Sequence, residues 1–216
     1  GVHSPKPSAV SITQVTELGT TYRPGEIAAL AKCAHAHGMA LHMDGARFAN
    51  ALVHLNCEAA DITWRAGVDA LSFGATKNGA LCAEAVVFFN PARAADFEYR
   101  RKKSGHLLSK MRFISAQLDA YLEDDLWRTN AARANALAKR LGEGLAKITG
   151  VTIAYPVQAN AVFARMPDAT VARLRERGAQ FYEWAPPENG HTLLRLVCSY
   201  ATPERDIDRF VDAARG

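Results

Sequence analysis

Lys77 follows a strand-like apolar run, Val68 to Phe73, and sits among small residues in Phe73-Gly74-Ala75-Thr76-Lys77-Asn78-Gly79. A lysine on a short, glycine-flanked turn suits Schiff-base chemistry, because desolvation favours the free, nucleophilic amine. Earlier in the chain a second apolar run, Met39 to Met43, delivers Asp44, with Arg47 three residues on. A carboxylate at the end of a neighbouring strand suits the pyridinium nitrogen of pyridoxal phosphate, keeping the ring protonated as an electron sink. Arg47 offers a fixed fork for a carboxylate or a phosphate. Plainer readings stand beside these: a surface lysine after a strand, an Asp-Gly turn signal, an arginine paired with a surface acid. Two features weigh against them. Gly74, Ala75 and Gly79 remove bulk, so that a flat group can approach the backbone, and Asp44 falls at a strand end, where ligands bind in open α/β sheets. Arg195 lies within Leu193-Leu194-Arg195-Leu196-Val197. Alternation can place it on a solvent face; turned inward, it would need an anionic ligand, because a buried unpaired arginine is expensive.

The elements that must position these residues follow a strand–helix–strand order. Residues 9–13 read as a strand, and 16–22 as a loop at its C-terminal end. A helix opens at Arg23-Pro24 and runs to His37, with Gly38 as its stop, before the strand 39–43. Short connections of this kind argue for a parallel sheet with right-handed crossovers. Further helices are expected over 48–55 and 59–65. The continuous apolar run 85–89 reads as a strand covered on both faces. Asn90-Pro91 opens a helix to about Lys103, Ser104-Gly105-His106 breaks it, and another helix spans 107–122. Character changes near Asp124-Asp125. A long alanine- and leucine-rich helix over 127–148 leads to strands at 151–154, 161–165 and 191–197, with helices at 171–177 and 203–214. The expectation is an α/β domain over residues 1–124 and a small α+β domain over 125–216.

Composition narrows the partners. With 49% hydrophobic and 22% charged residues, the chain has an ordinary globular balance, and its net charge of +4 is mild. The cluster Arg100-Arg101-Lys102-Lys103 reads as a solvated helix end or a phosphate contact. No stacking aromatics interleave with it, so nucleic acid is not expected. Cys33, Cys57, Cys82 and Cys198 are widely spaced and form no CxxC pair, which fits a reducing cytoplasm. No apolar run approaches the ~20 residues a membrane helix needs, and the N-terminus has no hydrophobic signal core. His35 and His37 fall on different faces of one helix, so no metal site is expected.

Taken together, His42-Met43-Asp44-Gly45-Ala46-Arg47-Phe48-Ala49-Asn50-Ala51 and Ser72-Phe73-Gly74-Ala75-Thr76-Lys77-Asn78-Gly79 resemble the low-specificity L-threonine aldolases. These belong to the β-eliminating lyase group of fold-type-I pyridoxal-phosphate enzymes. The resemblance extends through Glu84–Phe89, Ser109-Lys110-Met111-Arg112-Phe113 and Leu194–Val197. It implies a partial fold-type-I large domain, mainly parallel sheet with covering helices, followed by the small domain. It also implies pyridoxal phosphate as cofactor, with Lys77 as its covalent anchor and Asp44 as the ring-nitrogen partner. Arg47 and Arg195 would bind the substrate α-carboxylate, and Thr76 and Lys110 would contribute to cofactor binding. The implied activity is that of an aldehyde-lyase cleaving L-threonine or L-allo-threonine to glycine and acetaldehyde, in a cytoplasmic homodimer or homotetramer. Alternatives are a phenylserine aldolase, a β-eliminating lyase, or an inactive fragment. Family members begin with a further segment that carries the loop cradling the cofactor phosphate and the ring stacking on the cofactor. The chain is therefore expected to be the C-terminal portion of such an enzyme.

Overall fold

The computed structural model describes residue 3 and residues 5–216. Strand β1 (Ala9–Thr13), helix α1 (Pro24–Ala36) and strand β2 (Ala40–Gly45) form a parallel crossover. Pro24 occupies the first turn of α1, where no intrahelical N–H is required, and Gly38 turns the chain at φ +69° just past its end. Strand β2 extends further than the apolar run, so Asp44 lies within it, paired in register with Thr13 of β1.

Helix α2 (Phe48–Leu55) is followed by two 3-10 turns, Ala59–Ile62 and Trp64–Ala66, where one helix was expected over 59–65. The break falls at Thr63 (φ −125°, ψ −111°), whose hydroxyl donates to the Ala59 carbonyl at 2.7 Å. Strand β3 (Ala70–Gly74) is parallel to β2. Strand β4 (Glu84–Phe88) runs antiparallel to β3, giving the sheet order β1-β2-β3-β4. The continuous apolar character of β4 suggested cover on both faces. As an edge strand it instead leaves Val86 and Val87 44% and 36% exposed.

Alternation along the strands sorts the two faces of this sheet. Ile12, Leu41, Met43 and Leu71 enter a core with Ile27, Phe48 and Leu52. Ser11, Thr13, His42, Asp44 and Ser72 take the other face.

The segment after β4 is more broken than its composition predicts. Asn90 caps a 3-10 turn, Pro91–Ala94, by accepting from the Ala92 N–H at 3.0 Å; helix α3 (Phe97–Lys103) then starts separately. Helix α4 spans only Arg112–Leu122, leaving residues 107–111 outside it. Asp124 and Asp125, both at positive φ (50° and 56°), redirect the chain into α5 (Leu126–Leu145).

Helix α5 serves two cores. Trp127 and Ala131 pack into the first, while Leu137, Leu141 and Leu145 pack into a second. That second core is covered by an antiparallel sheet in the order β5-β6-β8-β7, built from β5 (Thr152–Ile153), β6 (Ala161–Pro167), β7 (Tyr182–Glu188) and β8 (His191–Val197). Helices α6 (Asp168–Glu176) and α7 (Glu204–Arg215) complete it. Strand β7 has no apolar run to announce it: it is an edge strand with two prolines and mostly exposed residues.

Candidate active site

The parallel pairing of β2 with β3 carries two chemically useful groups to one edge of the sheet. Asp44 is in register with Ser72, and Gly45 with Phe73, so the Asp44–Arg47 turn and the turn bearing Lys77 leave from adjacent C-terminal strand ends. Their backbones touch: a Cβ built on Gly74 would come within 2.9 Å of the Ala46 Cα. Only glycine permits that approach.

Asp44 is half-buried, and its Oδ1 accepts the Ala46 N–H at 2.9 Å. Among the described residues, Oδ2 has no hydrogen-bond donor. Behind it on the same face, His42 ties three strands together: its Nδ1 lies 2.8 Å from Ser11 Oγ and its Nε2 2.9 Å from Ser72 Oγ. His42 and Ser72 open the two motifs that carry the resemblance, but the sequence assigns no positioning role to them or to Ser11. All three lie on the face that carries Asp44, with Ser11 in register with His42 and Ser72 in register with Asp44.

Lys77 projects, exposed, from a 3-10 turn, Thr76–Asn78. The turn closes on Ala83, through the Ala75 N–H to the Ala83 carbonyl at 3.0 Å and the Ala83 N–H to Thr76 Oγ1 at 3.2 Å. The Thr76 hydroxyl is thus engaged in holding the turn. Asn78 is buried and donates to Tyr121 Oη at 2.7 Å and to the Trp127 carbonyl at 2.8 Å.

Arg47 sits at the N-cap of α2, and Arg195 midway along β8 in the second sheet. The fold draws them together closely enough for their charges to interact. Burial first, and then the Arg195 charge, hold the Arg47 pKa below its usual value, while Glu17 and Asp44 oppose them. The Nε atoms of both arginines are buried with no hydrogen-bond partner among the described residues. Two such donors whose charges interact suit a ligand carboxylate, which would satisfy them and relieve their repulsion. Glu17 was read from sequence only as part of a loop; its influence on Arg47 emerges once β1 is placed beside β2. The Arg195 guanidinium also lies over the Trp184 ring, 5.3 Å from its centroid.

Lys110 is exposed in the segment preceding α4, and its side chain makes no ion pair or hydrogen bond among the described residues. Within α4, Gln117 Oε1 accepts from the Leu81 and Cys82 N–H groups at 3.0 and 3.1 Å. All four cysteines are free. Cys198 is buried, and burial pushes its thiol up to about 11, which argues against a nucleophilic role. No described helix is long and apolar enough to cross a membrane.

This donor set fits two ends of pyridoxal phosphate. An exposed amine can hold the aldehyde carbon, and an uncommitted carboxylate oxygen can hold the ring nitrogen, with paired arginine forks alongside for an amino-acid carboxylate.

Comparison with known proteins agrees with this chemistry. The family model described as beta-eliminating lyase matches residues 1–169. A low specificity L-threonine aldolase of Pseudomonas aeruginosa is 45% identical over 214 residues, covering 99% of this chain and 60% of that protein. One from a Pseudomonas species is 46% identical over 206 residues, covering 95% and 58%. The chain thus spans about three fifths of the length of the curated relatives it matches. A solved structure of Leishmania major threonine aldolase superposes with a TM-score of 0.91 at 29% identity, over 99% of this chain and 62% of that one. A cystathione gamma lyase from Micromonospora echinospora, 18% identical and covering 100% and 66%, shares the fold with a TM-score of 0.70. The architecture is the fold-type-I arrangement of a mostly parallel sheet with helices, followed by an antiparallel sheet.

Proposed function

The chain belongs to the beta-eliminating lyase family, and we propose that it forms the catalytic portion of a pyridoxal-phosphate-dependent L-threonine aldolase. The reaction is retro-aldol cleavage of a β-hydroxy-α-amino acid, threonine or allo-threonine, to glycine and acetaldehyde. The observation that carries this reading is that the Nε atoms of Arg47 and Arg195 are both buried with no hydrogen-bond partner among the described residues, with the charges of Arg195 and Asp44 both acting on Arg47.

Arg47 and Arg195 would bind the substrate α-carboxylate and so fix the orientation of the amino acid in the site. Asp44 Oδ2 would keep the ring nitrogen of the cofactor protonated. Lys77 Nζ would hold the cofactor at its aldehyde carbon, and Thr76 keeps the lysine turn closed. Lys110 contributes positive charge on the phosphate side. When bound, pyridoxal phosphate supplies an electron-withdrawing ring that accepts the electron pair released at Cα. The net reaction is proton-neutral: the proton lost from the β-hydroxyl is matched by the one gained at Cα, giving acetaldehyde and glycine.

Residues 1–124 are assigned to the cofactor-binding domain and 125–216 to the small domain. Four free cysteines support a reducing compartment such as the cytoplasm. Exposed Tyr99, Leu107, Leu108 and Phe113 support association between copies as a homodimer or homotetramer. The description of the family favours β-elimination as a second reading. Release of acetaldehyde rather than pyruvate and ammonia separates the two.

The test is Lys77→Ala in the purified protein with pyridoxal phosphate added. The variant is expected to lose both the visible absorbance of covalently held cofactor and threonine cleavage. Retention of full activity would sink the assignment.

A further inference from the structure

Arg195 is held in an unusual way. Among the described residues it makes no ion pair, and its buried Nε donates to nothing. Its close contact is the face of Trp184, 5.3 Å from guanidinium carbon to ring centroid. Stacking on an aromatic face attracts the cation while leaving the in-plane N–H groups free, whereas a carboxylate partner would occupy them.

The indole reaches that position through an irregularity in β7. Tyr182 pairs with Arg195 and Glu183 with Leu194, but Leu193 pairs with Ala185, so Trp184 is an extra residue. A bulge of this kind re-aims one side chain and is common beside active sites. Trp184 is then backed by aromatic rings. It packs edge-to-face on Phe163 with centroids 5.2 Å apart, and Phe163 packs on Tyr155 at 5.5 Å. Phe163 is itself buried and in register with Arg195 on the adjacent strand β6. The row Tyr155–Phe163–Trp184 runs out of the second sheet and ends on the guanidinium. The like charges of Arg47 and Arg195 repel; the Trp184 face offers Arg195 an attraction that opposes this without neutralising either arginine.

We propose that Trp184 is a positioning residue for amino-acid binding. It holds the Arg195 guanidinium plane so that the free N–H edge meets the substrate α-carboxylate. The proposal rests on the assignment of Arg195 to that carboxylate. Trp184 acts through Arg195, so it governs binding of the amino acid rather than cleavage of its Cα–Cβ bond.

Glycine carries the carboxylate and has no bond to cleave, so its binding to the cofactor-loaded protein, measured by calorimetry, reads the clamp directly. Trp184→Leu keeps apolar packing on Phe163 but removes the π face, and is expected to weaken glycine binding about fivefold to tenfold. Trp184→Phe retains a π face and should stay within about twofold of the parent. The same order is expected in the KM for threonine, with kcat changed by less than about twofold. Arg195→Lys serves as the reference and should weaken binding more than either. Unchanged glycine binding in Trp184→Leu, with Arg195→Lys impaired, overturns the role of Trp184 alone. Equal impairment of the Leu and Phe variants also overturns it, because shape rather than the π face would then decide. Unchanged binding in Arg195→Lys overturns the carboxylate assignment beneath it.

Discussion

Asn130 on α5 donates from its side-chain amide to the backbone carbonyl of Asn78 at 2.9 Å. The acceptor is one residue beyond Lys77, so the lysine turn is fastened to the helix that serves both cores. The Asn78 side chain fastens the same turn to Tyr121 and to the Trp127 carbonyl. A turn of three residues has little rigidity of its own; its geometry comes from these long-range bonds.

Loss of those bonds should be measurable in two ways. Asn130→Ala removes one neutral hydrogen bond and is expected to lower stability by about 1 kcal/mol. Asn78→Ala removes two hydrogen bonds from a buried site and should cost about 2–3 kcal/mol. Both should reduce the fraction of protein holding cofactor on Lys77, read by visible absorbance. Denaturant unfolding gives the stability terms, and variants indistinguishable from the parent would show that the anchor is dispensable.

Gly74 separates the lysine turn from the Asp44–Arg47 turn by the width of one missing methyl group. In Gly74→Ala the new Cβ would sit 2.9 Å from the Ala46 Cα and 3.3 Å from the Ala46 carbonyl oxygen. Its third neighbour, Glu84 Oε2 at 2.8 Å, can swing aside. The backbone contacts cannot be relieved that way, so the two strand ends must part, at a cost of about 1–3 kcal/mol. The expected result is a destabilised protein with weakened cofactor binding. A fully stable Gly74→Ala protein with parental cofactor affinity would contradict the close approach.

Asp69 offers a pH-dependent test of the fold. Burial raises its pKa, but the Leu41 N–H at 2.8 Å, His35 Nε2 at 2.8 Å and Arg93 Nε at 3.1 Å outweigh burial and hold the carboxyl below its usual range. The unfolded chain therefore binds this proton more readily than the folded one. The stabilisation is complete above the unfolded carboxyl pKa of about 4 and is lost as pH falls through the lower folded value. Asp69→Asn should consequently be less stable than the parent at neutral pH, and the gap should narrow on acidification below about pH 4. Unfolding curves at a series of pH values measure it; a gap that stays constant with pH would argue against the ionic role.

Much of the local structure could be read from periodicity. The bounds of β1, α2 and β8 coincide with their apolar patterns, and α1 ends where Gly38 marks it, because such elements are specified by side-chain spacing and turn chemistry along a few consecutive residues. The candidate chemistry of Lys77 and Asp44 was legible for the same reason: each follows or ends a strand pattern, and strand ends are where open sheets present their groups. The runs that misled were those whose surroundings are not local. Residues 85–89 are as apolar as a covered strand, yet β4 is an antiparallel edge. Residues 107–111 have helical composition but lie outside α4.

Strand pairing and long-range packing settled the rest. Strand β7 is polar and proline-containing, so it becomes a strand only because β8 offers it an edge; the bulge at Trp184 is a property of that pairing and of neither strand alone. Arg47 caps a helix against the first sheet, and Arg195 lies in the middle of the second. Each lies in a motif through which the family resemblance implies a shared carboxylate, but periodicity and spacing alone do not bring the two together. Their juxtaposition exists because α5 packs its first turns into one core and its last turns into the other, joining the two sheets that carry the arginines.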